Sequence, residues 1–350
     1  MIQRCDPPGR VLVQGATSSS LDILWSASPA GADADAFDRF VDTASGGHYA
    51  QARAWAPVAV VGRPMRARYV LAREQGRVVG AALVMRPYVR GIPLPFAMIE
   101  RGPVCNDPSD VGRVAAAMAV AARRHGVGRL QVMPYWAGED ATRVETALLR
   151  ARFRLVHAFD SAHAMTLRLE IEKKSDDAIL AGKDREALRR KLRQAEKAGA
   201  TVRRGTPEDM RKLEDLHGEL MRGQARSDKP RAFFERLAAS LVADSKGGRG
   251  ALFLCTHEAE TISALFAILH GRVATFVLGA TSSVQRSISK MALPMMAAIR
   301  WARDEGASTF DLGGIPVDGD TDEKRAQIAQ FKFDFAKTKV PLVREYARWF

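Results

Sequence analysis

Three cysteines in 350 residues, Cys5, Cys105 and Cys255, stand far apart with no C-x-x-C pair. That excludes a disulfide framework and a thiolate metal site, and a reducing compartment fits. No stretch approaches the roughly 18 consecutive apolar residues of a membrane span. The opening MIQRCDPPGR lacks the basic-then-apolar order of a signal peptide, so a cytoplasmic location is expected. The familiar motifs of covalent and phosphate chemistry are also missing: there is no G-x-S-x-G, no H-E-x-x-H and no Walker glycine loop. Seven histidines are scattered along the chain, and His157 and His270, each on an apolar stretch, read as packed residues rather than catalysts.

What is present is an ordinary globular composition, 47% hydrophobic and 27% charged, on a chain long enough for two domains. Carboxylates are outnumbered, 40 against 53 basic residues, for a net charge of +13. Forty of those 53 are arginine, the side chain suited to a bidentate grip on phosphate or carboxylate. A polyanionic partner and a plain solubilising surface both account for that charge.

The chain carries an internal repeat. Residues 69–86 read as strand, polar turn at Gln75-Gly76, and strand, and residues 252–268 repeat the outline 183 positions later. Val70 then matches Phe253, Val79 matches Ile262 and Leu83 matches Phe266. Residues 114–132 and 294–312 form a second pair at an offset of 180, each a helix with a basic last turn, a glycine stop (Gly126; Gly306) and a strand. A three-residue insertion would account for the change of offset. The repeated order predicts a duplicated α/β unit with mixed sheets flanked by helices, suited to an acetyltransferase (GNAT)-like half. Domains are expected at 1–160 and 161–339, with the stretch 340–350 alternating as a strand. Between the repeats the chain reads as mainly helical. A strand at 163–171 leads to Ser175 as a helix cap, and then to a basic amphipathic helix over 184–199 with Leu188, Leu192 and Ala195 on one face. Residues 26–38 and 223–231 read as loops.

An acetyltransferase half that binds coenzyme A normally presents Q/R-x-x-G-x-G/A before its helix, so that backbone N–H groups hold the pyrophosphate. Neither PSDVGRVAAAM (108–118) nor VQRSISKMALPMM (284–296) has the two glycines. No cofactor and no metal is expected, and another activated acyl donor has to be considered.

HYAQARAWAPV (48–58), ERGPVCNDPSDV (100–111), LRRKLRQAEKAGATVRRG (188–205), MAAIRWARDEGASTFDLGGI (296–315) and FKFDFAKTKV (331–340) resemble, in that order, the motifs of the Fem family. Those enzymes add amino acids from aminoacyl-tRNA to the peptide stem of cell-wall precursors. The resemblance spans roughly residues 48–350 and implies two tandem acetyltransferase-like domains, with the 340–350 strand returning to the first. It implies that Lys332, beside Phe331, contacts the reaction centre and stabilises an oxyanion, and that Asp107 holds the acceptor amine or takes its proton. Arg101, Arg190 and Arg193 would hold anionic parts of the acceptor, and Gly313-Gly314 would let the backbone approach a ligand. Two departures, APVAVV after Trp55 and FAKT in place of a glycine pair, leave the acceptor open between the standard precursor and another amine.

The function expected is amide formation between an amino acid from aminoacyl-tRNA and an amine acceptor, such as a peptidoglycan-precursor peptide or a related metabolite. A coenzyme A or carrier-protein thioester as donor is the first alternative, and a non-catalytic RNA- or envelope-binding protein the second.

Overall fold

The structure, a computed structural model, describes residues 9–14, 20–156, 164–242, 248–284, 288–317 and 323–350. His157 and residues 285–287 of the segment before the second helix lie outside it. The chain divides into two compact units, Met1–Ala164 with Pro341–Phe350, and Met165–Val340.

In the first unit the sheet runs, edge to edge, Gly9–Gln14, Ser20–Ser26, Met65–Glu74, Arg77–Val89, Phe96–Arg101, Arg129–Pro134, Tyr346–Trp349 and Arg154–Leu155. In the second it runs Thr201–Arg204, Arg249–His257, Glu260–His270, Val273–Thr281, Thr309–Gly314, Met165–Glu170 and Lys339–Pro341. From Ser20–Ser26 onward the first order corresponds position by position to the second, Gly9–Gln14 being an extra edge strand, and a parallel pair falls at the same place in each, Phe96–Arg101 on Arg129–Pro134 and Val273–Thr281 on Thr309–Gly314. Both sheets are mixed and flanked by helices, as a duplicated α/β unit requires.

The repeat holds to the level of register. Val70 faces Ala82 and Phe253 faces Leu265, each pair 183 positions from the other. The ladder slips between Ala72 and Arg73 in one unit and between Cys255 and Thr256, again 183 later, in the other. The single three-residue insertion expected from the sequence is instead two changes. Met85 facing Met98 corresponds to Ile268 facing Thr275, which sets the third strand at an offset of 177. Six extra residues therefore lie in the first unit's Val89–Phe96 connection, and three are regained before the helix.

Each parallel crossover is a helix, Val111–Arg124 in one unit and Ala292–Asp304 in the other, whose alanine- and methionine-rich faces are buried against the sheet. Gly126 (φ 73°) and Gly306 (φ 88°) end them in the left-handed conformation that glycine adopts without strain. The basic helix spans Glu186–Lys197 and buries Leu188, Leu192 and Ala195, while Ser175 caps the turn before it by accepting from the Ala178 N–H. The loop expected over 26–38 is corrected: Gly31–Thr43 is a helix with Ala34, Phe37, Phe40 and Val41 buried. Its apolar period lies in the later turns, and the Ala/Asp-rich opening masks it. Among the described residues no helix is long and apolar enough to cross a membrane.

Candidate active site

The two parallel strand pairs differ in one respect. In the first unit the pairing runs over six residues, from Phe96 against Arg129 to Arg101 against Pro134. In the second it covers only Val273–Thr275 against Thr309–Asp311, and beyond Thr275 the strands are no longer paired. Phe276 is the first residue past the paired stretch on one strand, and Gly313-Gly314 end the other. A crevice at the carboxyl ends of parallel strands is where α/β sheets ordinarily take a ligand.

Lys332 reaches this opening from the last turn of the helix Glu323–Phe333. It is 5% exposed. Its Nζ donates to the Gly314 carbonyl at 2.7 Å and lies 5.8 Å from the Phe276 ring centre. Burial pushes its pKa down to about 8, against an upward pull from the Asp311 carboxylate. Gly313 has φ 79°, and a Cβ there would come 3.5 Å from Nζ and 3.4 Å from the Phe276 carbonyl. The left-handed backbone calls for glycine, and a Cβ at those distances would make only ordinary contacts. Phe331 is half-buried and meets Phe335 edge-on at 5.4 Å, which anchors the turn that carries the lysine.

Asp311 organises the opening. It is 3% exposed, and its Oδ1 accepts from Thr166 Oγ1 at 2.5 Å and from the Gly313 N–H at 2.8 Å. Arg168 Nε donates to Oδ2 at 3.3 Å. Thr166 and Arg168 sit on the strand Met165–Glu170, which pairs with the Asp311 strand. Sequence reasoning passed over Asp311, Thr166, Arg168 and Phe276. Asp311 lies inside the quoted FDLGG run, but nothing local marks the other three, because strand pairing alone brings them there.

The remaining candidates fall elsewhere. Arg190 and Arg193 are exposed on the basic helix. Between them Lys191 Nζ pairs with the buried Asp334 at 2.6 Å, which ties that helix to the turn after Lys332. Asp107 belongs to the first unit, where its Oδ1 accepts from the Ser109 N–H at 2.8 Å and Ser109 Oγ at 2.7 Å. Those bonds hold its carboxyl below the usual carboxylate range, which suits a helix cap and weakens it as a base. With Asp110 paired to Arg113 at 2.8 Å, carboxylates crowd the start of the helix where a coenzyme A pyrophosphate would sit. Arg101, also in the first unit, is buried at φ 58° with its guanidinium 5.5 Å from the Tyr135 ring centre. Beside it Gln51 bridges two strands, accepting from the Leu83 N–H at 2.7 Å and donating to the Glu100 carbonyl. Cys105 and Cys255 are buried and their thiols are pushed up by that burial, so neither is a ready nucleophile.

Comparison with known proteins agrees with the fold. Residues 182–325 match the family described as an acetyltransferase (GNAT) domain. No curated protein matches the chain. Among solved structures, that of FemX is similar at 18% identity and a TM-score of 0.76, covering 92% of this chain and 97% of its own. The C-terminal domain of a lysylphosphatidylglycerol synthetase from Agrobacterium fabrum is similar at 15% identity and a TM-score of 0.59, covering 90% of each chain. A tandem GNAT protein from the clavulanic acid biosynthesis pathway is similar at 12% identity and a TM-score of 0.51, covering 90% of this chain and 93% of its own.

Proposed function

From the tandem acetyltransferase-like fold that this chain shares with FemX, and from the acetyltransferase (GNAT) domain matched over residues 182–325, we propose an aminoacyl transferase that joins an amino acid from aminoacyl-tRNA to an amine acceptor. The acceptor class is the peptide stem of a peptidoglycan precursor or a related amine, and the setting is the cytoplasm. The name of a second similar structure, a lysylphosphatidylglycerol synthetase, also states an aminoacyl product. The observation that carries the reading is Lys332, a buried ammonium in the one parallel strand pair that opens.

The chemistry needs little else. An acceptor amine attacks the ester carbonyl, a C–N bond forms, and the carbonyl oxygen becomes an oxyanion. The C–O bond to the ribose then breaks, and the amine's proton ends on the leaving hydroxyl. A lysine has three N–H donors, of which one goes to Gly314, and the others suit the oxyanion. With a pKa near 8 it is mostly charged at neutral pH. In this reading Arg190 and Arg193 bind an anionic part of the acceptor and Phe331 and Gly313-Gly314 shape the opening, while Arg101 and Asp107 are the first unit's candidates for an acceptor's anionic group and amine.

Lys332→Met keeps the aliphatic stem and removes the charge, so kcat with aminoacyl-tRNA should fall about 10²–10³-fold while KM changes little. Full turnover in that variant rejects the assignment. The GNAT match favours one other donor, acyl-coenzyme A, and transfer from that thioester in parallel assays, with none from charged tRNA, would establish it.

A further inference from the structure

Among the described residues, the segments that meet at one end of the first unit carry no Asp or Glu of their own, and Glu345, which accepts from Gln131 Nε2 at 2.8 Å, borders them. Register brings five segments there. Pro87 faces Met65, Phe96 faces Arg129, Trp349 faces Arg129, and Ala347 faces Arg154. Buried Arg86 ties the segments together, donating to Leu94 O at 2.9 Å, His125 O at 2.6 Å and Gly126 O at 2.7 Å. Residues 60–68, 86–98, 121–131, 147–155 and 347–350 contain twelve arginines and no Asp or Glu. The chain has 40 carboxylates in all, and none falls in these segments.

The same end carries apolar side chains in water. Ile92 is 68% exposed, Leu149 55%, Val89 and Trp349 53% each and Phe350 38%. Scattered singly, such residues mean nothing. Here they are all the exposed large hydrophobics of the described first unit, and each lies in one of these segments. Arg90 separates Val89 from Ile92 at the tip of one hairpin. Leu149, Phe153 and Trp349 form the apolar walls of a groove of about 640 Å³ whose other lining residues are Arg152, Arg154 and Arg348. Burial and the neighbouring Arg152 charge lower the Arg348 pKa, so these guanidiniums repel one another.

We propose that this end is a docking surface for an anionic lipid bilayer, with the arginine-lined groove taking a lipid headgroup phosphate. Arginines in such number are drawn to a negatively charged leaflet, and Trp, Ile, Leu and Val beside them enter the interfacial layer. A nucleic acid uses the cations and an aromatic platform but has no place for exposed Ile92, Val89 and Leu149. The bilayer accounts for both halves of the pattern. The proposal is independent of which acyl group is transferred.

The test is co-sedimentation of the intact protein with vesicles of phosphatidylcholine alone or mixed with phosphatidylglycerol, alongside titration with uncharged tRNA. Binding to the anionic vesicles alone, weakened by added salt and accompanied by a blue shift of tryptophan emission that Trp349→Ser abolishes, is expected. Arg90→Ala and Arg152→Ala should each lower the partition coefficient about 5-fold. Ile92→Ser with Leu149→Ser should lower it further at unchanged salt dependence, and an unaltered melting profile shows that these exposed replacements leave the fold intact. No anionic-vesicle binding at low salt overturns the proposal, as does binding that none of these variants weakens. If tRNA binds this end and vesicles do not, the surface is a nucleic-acid site and the proposal fails.

Discussion

Lys332 shows how a single side chain can carry both a cost and a function. Its ordinary pKa of 10.5 falls to about 8 on burial, so between those values the unfolded chain binds a proton that the folded chain does not. The sign follows: the penalty for burying the ammonium is fully present below pH 8 and is relieved as pH rises toward 10.5. Relative to Lys332→Met, the wild type should therefore gain roughly 3 kcal/mol across that window, measured by urea unfolding at a series of pH values. A constant difference between the two proteins would mean the lysine titrates normally. Asp311 pulls the same pKa upward, and Asp311→Asn keeps an oxygen for Thr166 and for the Gly313 N–H while losing the charge. The high-pH decline of kcat should then begin at lower pH, and the Lys332 side-chain resonance in a ¹³C-lysine NMR titration should move with it. An unmoved titration would leave Asp311 with a structural role only.

At the scale of the element, the two equivalent hairpins solve one turn with different residues. Gln75-Gly76 (φ 49° and 82°) connects the first, and Glu258-Ala259 (φ 50° and 66°) occupies the same position in the second. A two-residue turn with both φ positive favours glycine at its second site, and alanine there bears the left-handed penalty. Ala259→Gly should stabilise the second unit by up to about 1 kcal/mol, read as a higher urea midpoint at constant slope. The basic helix gives the opposite contrast. Leu192→Ala should cost about 2–5 kcal/mol because that side chain is buried. Arg190→Ala with Arg193→Ala should change stability by no more than ~0.5 kcal/mol per site while weakening acceptor binding, since both are exposed.

For the whole molecule, the last strand belongs with the first unit despite its distance along the chain. Tyr346, 1% exposed, faces Val132 on one side and Leu155 on the other. Tyr346→Ala should cost roughly 3–5 kcal/mol, and hydrogen exchange should locate the lost protection at 129–134 and 154–155 rather than in the second sheet. In the second sheet the equivalent position, next to Thr309–Gly314, is filled by Met165–Glu170. One slot is thus supplied from opposite ends of two similar halves. If the donor is tRNA, its apparent affinity should fall steeply with salt, because each phosphate neutralised releases counterions. A salt-independent constant would point to a small donor.

Local information determined a good deal: the hairpins and their register, the glycine stops, the buried face of the basic helix and the duplication itself. Those are periodic or short-range features, and neighbouring residues suffice to specify them. The helix at 31–43 escaped because its apolar period starts late. That Lys332 is buried, that Asp311, Thr166 and Arg168 converge, and that one parallel pair opens while the other stays closed were decided only by the tertiary structure. Each depends on strands far apart in sequence lying side by side, and desolvation, which sets the charge of Lys332, exists only once the chain has packed around it.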